Sequence, residues 1–188
     1  MPVAGTGRTG RISGIVAMAA LAGVFVAGCG SSADDQGGSG PETTGLQVTE
    51  PGPFFGECGS ISDDEVQAAF ALGEFSAVTR NSVGCEWETY VGGPSVSFSW
   101  YRGSPIGRER AGSDLIGRPA VDVEIGGHPG FMGSAQNELG QTVLCEIGVD
   151  FGGDFIHWSV TYANFTPTAD SCAVARDLAE LSVERSQS

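Results

Sequence analysis

Apolar residues recur at every second position through five stretches of this chain, and at helical spacing through two more. Val83, Cys85, Trp87, Thr89 and Val91 share one side of an extended segment, as do Val96, Phe98 and Trp100. The alternation returns in Val121, Val123 and Ile125, again in Val143, Cys145, Ile147 and Val149, and finally in Ile156, Trp158, Val160 and Tyr162. Period two puts alternate side chains on one face of a strand, so these stretches are predicted to be half-buried strands. Gly92-Gly93-Pro94, the run Gly126 to Gly130, and Gly152-Gly153-Asp154 separate them as turns. Before the strands, Val66, Ala69 and Phe70 form a helical stripe. Ser62 and Glu65 have the spacing of a capping box, Ile61 and Val66 that of a hydrophobic staple, and Gly73 is the expected stop. After the strands, Val174, Leu178 and Leu181 define a helix over about Asp170 to Glu184, with Asp170 as its cap. The predicted architecture is α+β: an N-terminal helix, an antiparallel sheet of five to six strands, and a C-terminal helix packed on the sheet.

The first third of the chain follows neither period. Ile15 to Ala27 is an unbroken apolar run preceded by Arg8 and Arg11. It is shorter than the roughly 20 residues of a spanning helix and suits the core of an export signal. Val26-Ala27-Gly28-Cys29 then has the form of a bacterial lipobox, so Cys29 is the expected lipidation site. Gly30 to Pro53 is dominated by Gly, Ser, Thr, Pro and acids and contains no basic residue, so it cannot build a core. Thr43, Thr44 and Thr49 are acceptors an O-glycan could use. The expected organisation is residues 1–28 as lipoprotein signal peptide, 29–53 as lipidated Cys and disordered acidic tether, and 54–188 as a single α+β domain.

Charge narrows the partners. The chain has 23 acidic residues against 9 basic ones, every basic residue being Arg, for a net charge of −14. Nucleic acid is disfavoured, because its phosphates demand cations. The lipid bilayer is therefore expected to be reached through acylated Cys29 rather than through surface charge, with the domain on the outer face of the plasma membrane.

Four cysteines remain once Cys29 is lipidated. An even count in an exported chain reads as two disulfides. Cys85 and Cys145 both sit mid-strand on an apolar face, and Cys58 and Cys172 both begin a helix, so Cys85–Cys145 and Cys58–Cys172 are the expected pairs. No Cys-x-x-Cys occurs and only two His are present, so no metal is expected. No cofactor motif is found either.

Motifs for catalysis are absent from the sequence: there is no Gly-x-Ser-x-Gly, no His-Glu-x-x-His and no P-loop. His128 reads as an exposed loop imidazole. His157 alternates with Trp158 and so faces away from the apolar side of its strand. No catalytic residue is assigned, although an exported hydrolase using His128 or His157 is the rival reading, and a small-molecule or lipid carrier a third. The adjacent Asp63 and Asp64 are explained by the positive end of the helix dipole. The stretch Ser99 to Arg110 stands out more. It puts Arg102, Arg108 and Arg110 beside Trp100 and Tyr101, and Gly103, Pro105 and Gly107 suggest an exposed loop. These five residues are the candidate partner-binding site, set against the simpler reading in which each Arg pairs with a carboxylate.

The lipobox, the acidic tether, the Asn81-Ser82-Val83-Gly84-Cys85-Glu86-Trp87 stretch, the Ser97 to Arg110 segment and the closing Cys172-Ala173-Val174-Ala175 helix together resemble one family. These are actinobacterial cell-envelope lipoproteins with a domain of unknown function, of the mycobacterial LprB type. The resemblance implies a location outside the plasma membrane and no activity. The combined expectation is a monomeric, membrane-anchored, non-enzymatic binding or accessory module for an envelope protein or small ligand.

Overall fold

The computed structural model describes residues 51–186. The expected signal peptide, Cys29 and nearly all of the tether lie outside the described residues. The fold is α+β, a seven-stranded antiparallel sheet with three helices. The strands are β1 (Ala77–Arg80), β2 (Gly84–Glu88), β3 (Ser95–Tyr101), β4 (Val121–Ile125), β5 (His128–Gln136), β6 (Thr142–Asp150) and β7 (Phe155–Thr161), in the spatial order β1-β2-β3-β7-β6-β5-β4. The helices are α1 (Asp63–Phe70), α2 (Ile106–Leu115) and α3 (Ser171–Glu184), with a 3-10 turn at Glu57–Ser60.

The sheet has two unlike faces. Cys85, Trp87, Val96, Phe98, Cys145, Ile147, Trp158 and Val160 point to one side and are buried beneath α1, α3 and the Glu57–Ser60 turn. The other face is more polar, with a Tyr101–Phe155 stack on β3 and β7 and with α2 covering Phe131 and Glu146 on β5 and β6. Both helix starts follow the predicted chemistry. The Ser62 N–H donates to Glu65 Oε2 at 3.0 Å, and Glu65 closes the capping box. Asp170 Oδ1 accepts from the N–H groups of Cys172 and Ala173, at 2.9 and 3.0 Å.

Three expectations about the elements are corrected. The sheet has seven strands rather than five or six. The added strands are β1, a short exposed edge, and β5, whose Pro129, Gly130 and Gly133 read as turn residues. At Gly130 the requirement is close packing, since a Cβ would come within 2.2 Å of the Gly148 carbonyl oxygen on β6. Helix α1 stops at Phe70, not at Gly73, because Ala71 takes the left-handed conformation with φ of 56°. Val83 and Val91 do not share the buried face of β2; they lie beyond its ends, 49% and 95% exposed.

The disulfide pairing also differs. The bonds are Cys58–Cys85 and Cys145–Cys172. Cys85 and Cys145 do occupy the same face, as the alternation implies. But β3 and β7 lie between β2 and β6, which separates them by three strand spacings, about 14 Å. A disulfide needs Cα atoms roughly 5–6 Å apart. Each cysteine is instead bridged to the element lying over its own strand, with Cα separations of 5.3 and 5.0 Å.

Candidate functional site

The Trp100 to Arg110 segment does not form one surface. Trp100 and Tyr101 are neighbours on β3 and so project to opposite sides of the sheet. Tyr101 stacks on Phe155 with ring centroids 4.4 Å apart. The predicted loop from Ile106 onward is helix α2, so Arg108 and Arg110 are carried away from Trp100 on a separate element. Arg110 pairs with Asp122 and donates to the Ala120 carbonyl at 3.2 Å, at the edge of a hollow of about 170 Å³ lined by Ile106, Pro129 and Phe131. Among the described residues the Arg108 side chain has no ion-pair or hydrogen-bond partner. Of the three Arg, Arg110 alone has a carboxylate partner, so pairing does not account for Arg102 and Arg108.

Trp100 and Arg102 do come together, in a cleft of about 320 Å³ at the end of the sheet where the described chain begins. Its walls are Phe54, Phe55 and the Glu57–Cys58 turn on one side and the Asn81–Gly84 turn on the other. Both aromatic residues stand edge-on to the Trp100 ring, with centroids at 5.5 and 5.6 Å. The Arg102 guanidinium lies over that ring at 4.4 Å, a cation–π contact, and its Nη2 donates to the Ser82 carbonyl at 3.2 Å. The backbone after Arg102 is fixed by the Gly103 N–H, which donates to the buried carboxylate of Asp154 at 2.8 Å. Cys58, in the lining, is tied to β2 by the Cys58–Cys85 bond. Cys58 and Ser60 hold positive φ values of 54° and 62°, a strained conformation for side chains other than glycine.

Two features set this cleft apart among the described residues. The first is its cation. Arg80, Arg110, Arg118, Arg176 and Arg185 each have a carboxylate within 4.0 Å, whereas Arg102, like Arg108, has none. The second is its indole. The Trp87 N–H donates to Asp63 at 2.7 Å and the Trp158 N–H to Ser182 Oγ at 3.1 Å. The Trp100 N–H is buried and has no acceptor.

The two histidines sit elsewhere. His128 packs on Phe151, ring centroids 4.5 Å apart. His157 belongs to a buried polar cluster on the α2 side of the sheet, which the sequence did not reveal. Its centre is Glu146, 4% exposed, which accepts from Arg118 Nε and Nη2, both at 3.0 Å, and from Ser113 Oγ. His157 Nε2 lies 3.4 Å from Glu146 Oε2. Burial pushes the Glu146 carboxyl up, but His157, Ser113 and Arg118 outweigh it and hold the group at about 2. Among the described residues no hydroxyl or thiol is hydrogen-bonded to either imidazole. Nor do the described residues contain a group of three or more His, Cys, Asp or Glu placed to hold a metal ion. No described helix is long and apolar enough to cross a membrane.

Fold and site together define a disulfide-clamped α+β domain with an aromatic, cationic cleft beside its chain entry. By comparison with known proteins the chain belongs to the family described as "Protein of unknown function (DUF3558)", which matches residues 24–185. It is 39% identical over 177 residues to "Putative lipoprotein LprB" of Mycobacterium bovis, covering 92% of this chain and 95% of that one. The protein of the same name in Mycobacterium tuberculosis matches over the same shares, again at 39% identity. That of Mycobacterium leprae is 38% identical over 166 residues, 87% of this chain and 88% of its own. No solved structure matches the chain.

Proposed function

We propose that this chain is a lipoprotein of the cell envelope, anchored through acylated Cys29 on the outer face of the plasma membrane, and that its domain is a non-enzymatic binding or accessory module acting through the Trp100–Arg102 cleft. The anchor is supported by the lipobox and by relatives that carry the name lipoprotein. The cleft is supported by one observation above the others: in a domain of 7 Arg and 19 acids, Arg102 lines a cleft without a carboxylate of its own. Pairing is the default for Arg here, so an unpaired one at a concave site is a group held for a ligand.

The hydrolase reading has less behind it. That reading rests on His128 or His157, and among the described residues neither imidazole has a hydroxyl or thiol hydrogen-bonded to it. The Ser113 hydroxyl donates its hydrogen bond to the Glu146 carboxylate and not to an imidazole. The cluster is better understood as the clamp that seats α2 and the Arg118 segment on the sheet.

Two experiments test the proposal. Cys29→Ala should abolish labelling by a clickable fatty acid and leave unprocessed precursor; unchanged labelling would remove the anchor. Cross-linked capture from detergent-solubilised envelope should depend on Arg102 and Trp100 and be indifferent to His128→Gln and His157→Gln. Capture that survives Arg102→Ala in a folded protein would take the function away from the cleft.

A further inference from the structure

We infer that the cleft takes a small amphiphile whose oxyanion, a phosphate or a carboxylate, meets Arg102 while its apolar body lies against Phe54, Phe55 and Val83; this inference rests on the binding-module reading above.

The ligand's charge follows from the donors. Arg102 uses one of its five N–H groups, on the Ser82 carbonyl. The Asn81 side-chain oxygen is already occupied, accepting from the N–H groups of Val83 at 2.8 Å and Gly84 at 3.1 Å, which leaves the amide NH₂ of Asn81 as the end available to a ligand. The Ser82 hydroxyl adds a further donor on the same cleft. The sole carboxylate in the lining is Glu57, three-quarters exposed and turned toward Arg80 at 3.8 Å. A lining rich in donors, with its one carboxylate turned away, fits a group that only accepts, and a guanidinium fork among them favours an oxyanion over a neutral oxygen.

The apolar half follows from the other wall. Phe54 and Val83 are 56% and 49% exposed, one on each rim of the cleft, with Phe55 between Trp100 and Phe151 below them. Large apolar side chains left this open around a concave site lose their water when an apolar body covers them. A volume of about 320 Å³ suits one small molecule and not a folded partner.

The test uses the mature acylated chain in phosphatidylcholine nanodiscs, with hexyl phosphate, hexanoate, hexanol and inorganic phosphate as probes. Trp87 and Trp158 are fully buried, so a change in tryptophan fluorescence on adding a probe reports chiefly on Trp100. Hexyl phosphate or hexanoate should bind at least about tenfold more tightly than hexanol and than inorganic phosphate, as charge-assisted hydrogen bonds and apolar burial each require. Arg102→Gln should shrink the preference over hexanol to less than about twofold at unchanged melting temperature, and Arg102→Lys, which keeps the charge without the fork, should retain part of it. Hexanol binding as well as hexyl phosphate would overturn the inference, and so would inorganic phosphate binding as well. If no probe binds while envelope capture still depends on Arg102, the amphiphile is wrong and the binding module stands. If capture is also indifferent to Arg102, both fall. Loss of hexyl phosphate binding in discs containing phosphatidic acid would place the oxyanion in the bilayer; retention would make it a free amphiphile, and each supports the inference.

Discussion

The indole N–H of Trp87, on strand β2 beside the sheet's edge, donates to Asp63 Oδ1 at 2.7 Å, and Asp63 is the first residue of α1. The same carboxylate receives Arg80 Nη2 from edge strand β1, at 2.6 and 2.7 Å. One side chain thus does three things. It sits at the positive end of a helix, satisfies a fully buried indole and holds an edge strand. The Trp87 hydrogen bond, then that from Arg80, keeps its carboxyl below the usual aspartate range.

Asp63→Ala should therefore cost more than loss of a helix-dipole charge. It leaves a buried N–H without an acceptor, and about 2–3 kcal/mol of stability should go with it. Asp63→Asn keeps an acceptor for Trp87 and should cost clearly less. Chemical denaturation of the two variants checks this; equal costs would show that the indole bond contributes little.

The pH dependence of stability should carry the mark of Glu146. Its carboxyl titrates at about 2 in the fold against 4.5 in its absence, so the folded state binds fewer protons. That contribution is complete above pH about 4.5 and is lost as the pH falls from there toward 2, amounting to about 3 kcal/mol. Glu146→Gln should lower stability at neutral pH and flatten this acid limb. Unfolding curves at pH 7 and pH 3 decide it: an acid limb of unchanged steepness in the variant would place the effect elsewhere.

Non-reducing peptide mapping should recover Cys58–Cys85 and Cys145–Cys172. Each bond closes a loop of 27 residues, for which chain entropy predicts about 3.5 kcal/mol. Removing either pair as a double Ser variant should lower stability by up to that amount. Recovery of a Cys85–Cys145 peptide would refute a sheet in which β3 and β7 separate β2 from β6.

Gly130→Ala should disturb the β5–β6 pairing, because its Cβ would meet the Gly148 carbonyl oxygen at 2.2 Å and backbone cannot step aside as a side chain can. The expected loss is about 1–3 kcal/mol. Gly127→Ala, where nothing lies within 4 Å but φ is 83°, separates backbone strain from crowding.

What the sequence made legible was local. The Ser62–Glu65 box, the Asp170 cap and the alternation through β3, β6 and β7 are all interactions between residues a few positions apart. What it hid was either disguised or long-range. Strand β5 carries Pro129 and Gly130, whose turn chemistry masks a packing requirement set by β6. Helix α2 has no apolar stripe, its one buried residue being Ser113, so periodicity passes over it. The Ser113–Glu146–Arg118 clamp joins residues up to 33 positions apart. The same holds for the disulfides: alternation puts Cys85 and Cys145 on one face, but only strand order reveals the two strands between them. At the cleft, the sequence singled out Trp100 and Arg102 by composition, while the walls supplied by Phe54 and Asn81 come from folding alone.

The Cys58–Cys85 bond has a mechanical side. A domain hauled by its N-terminal end, as one leashed to a membrane would be, takes up the tension at Cys58 and hands it through sulfur directly to β2 in the sheet. Helix α1 and strand β1 fall inside the bypassed loop and carry no load, so a tug on the leash reaches the wall of the Trp100–Arg102 cleft before it can unravel anything.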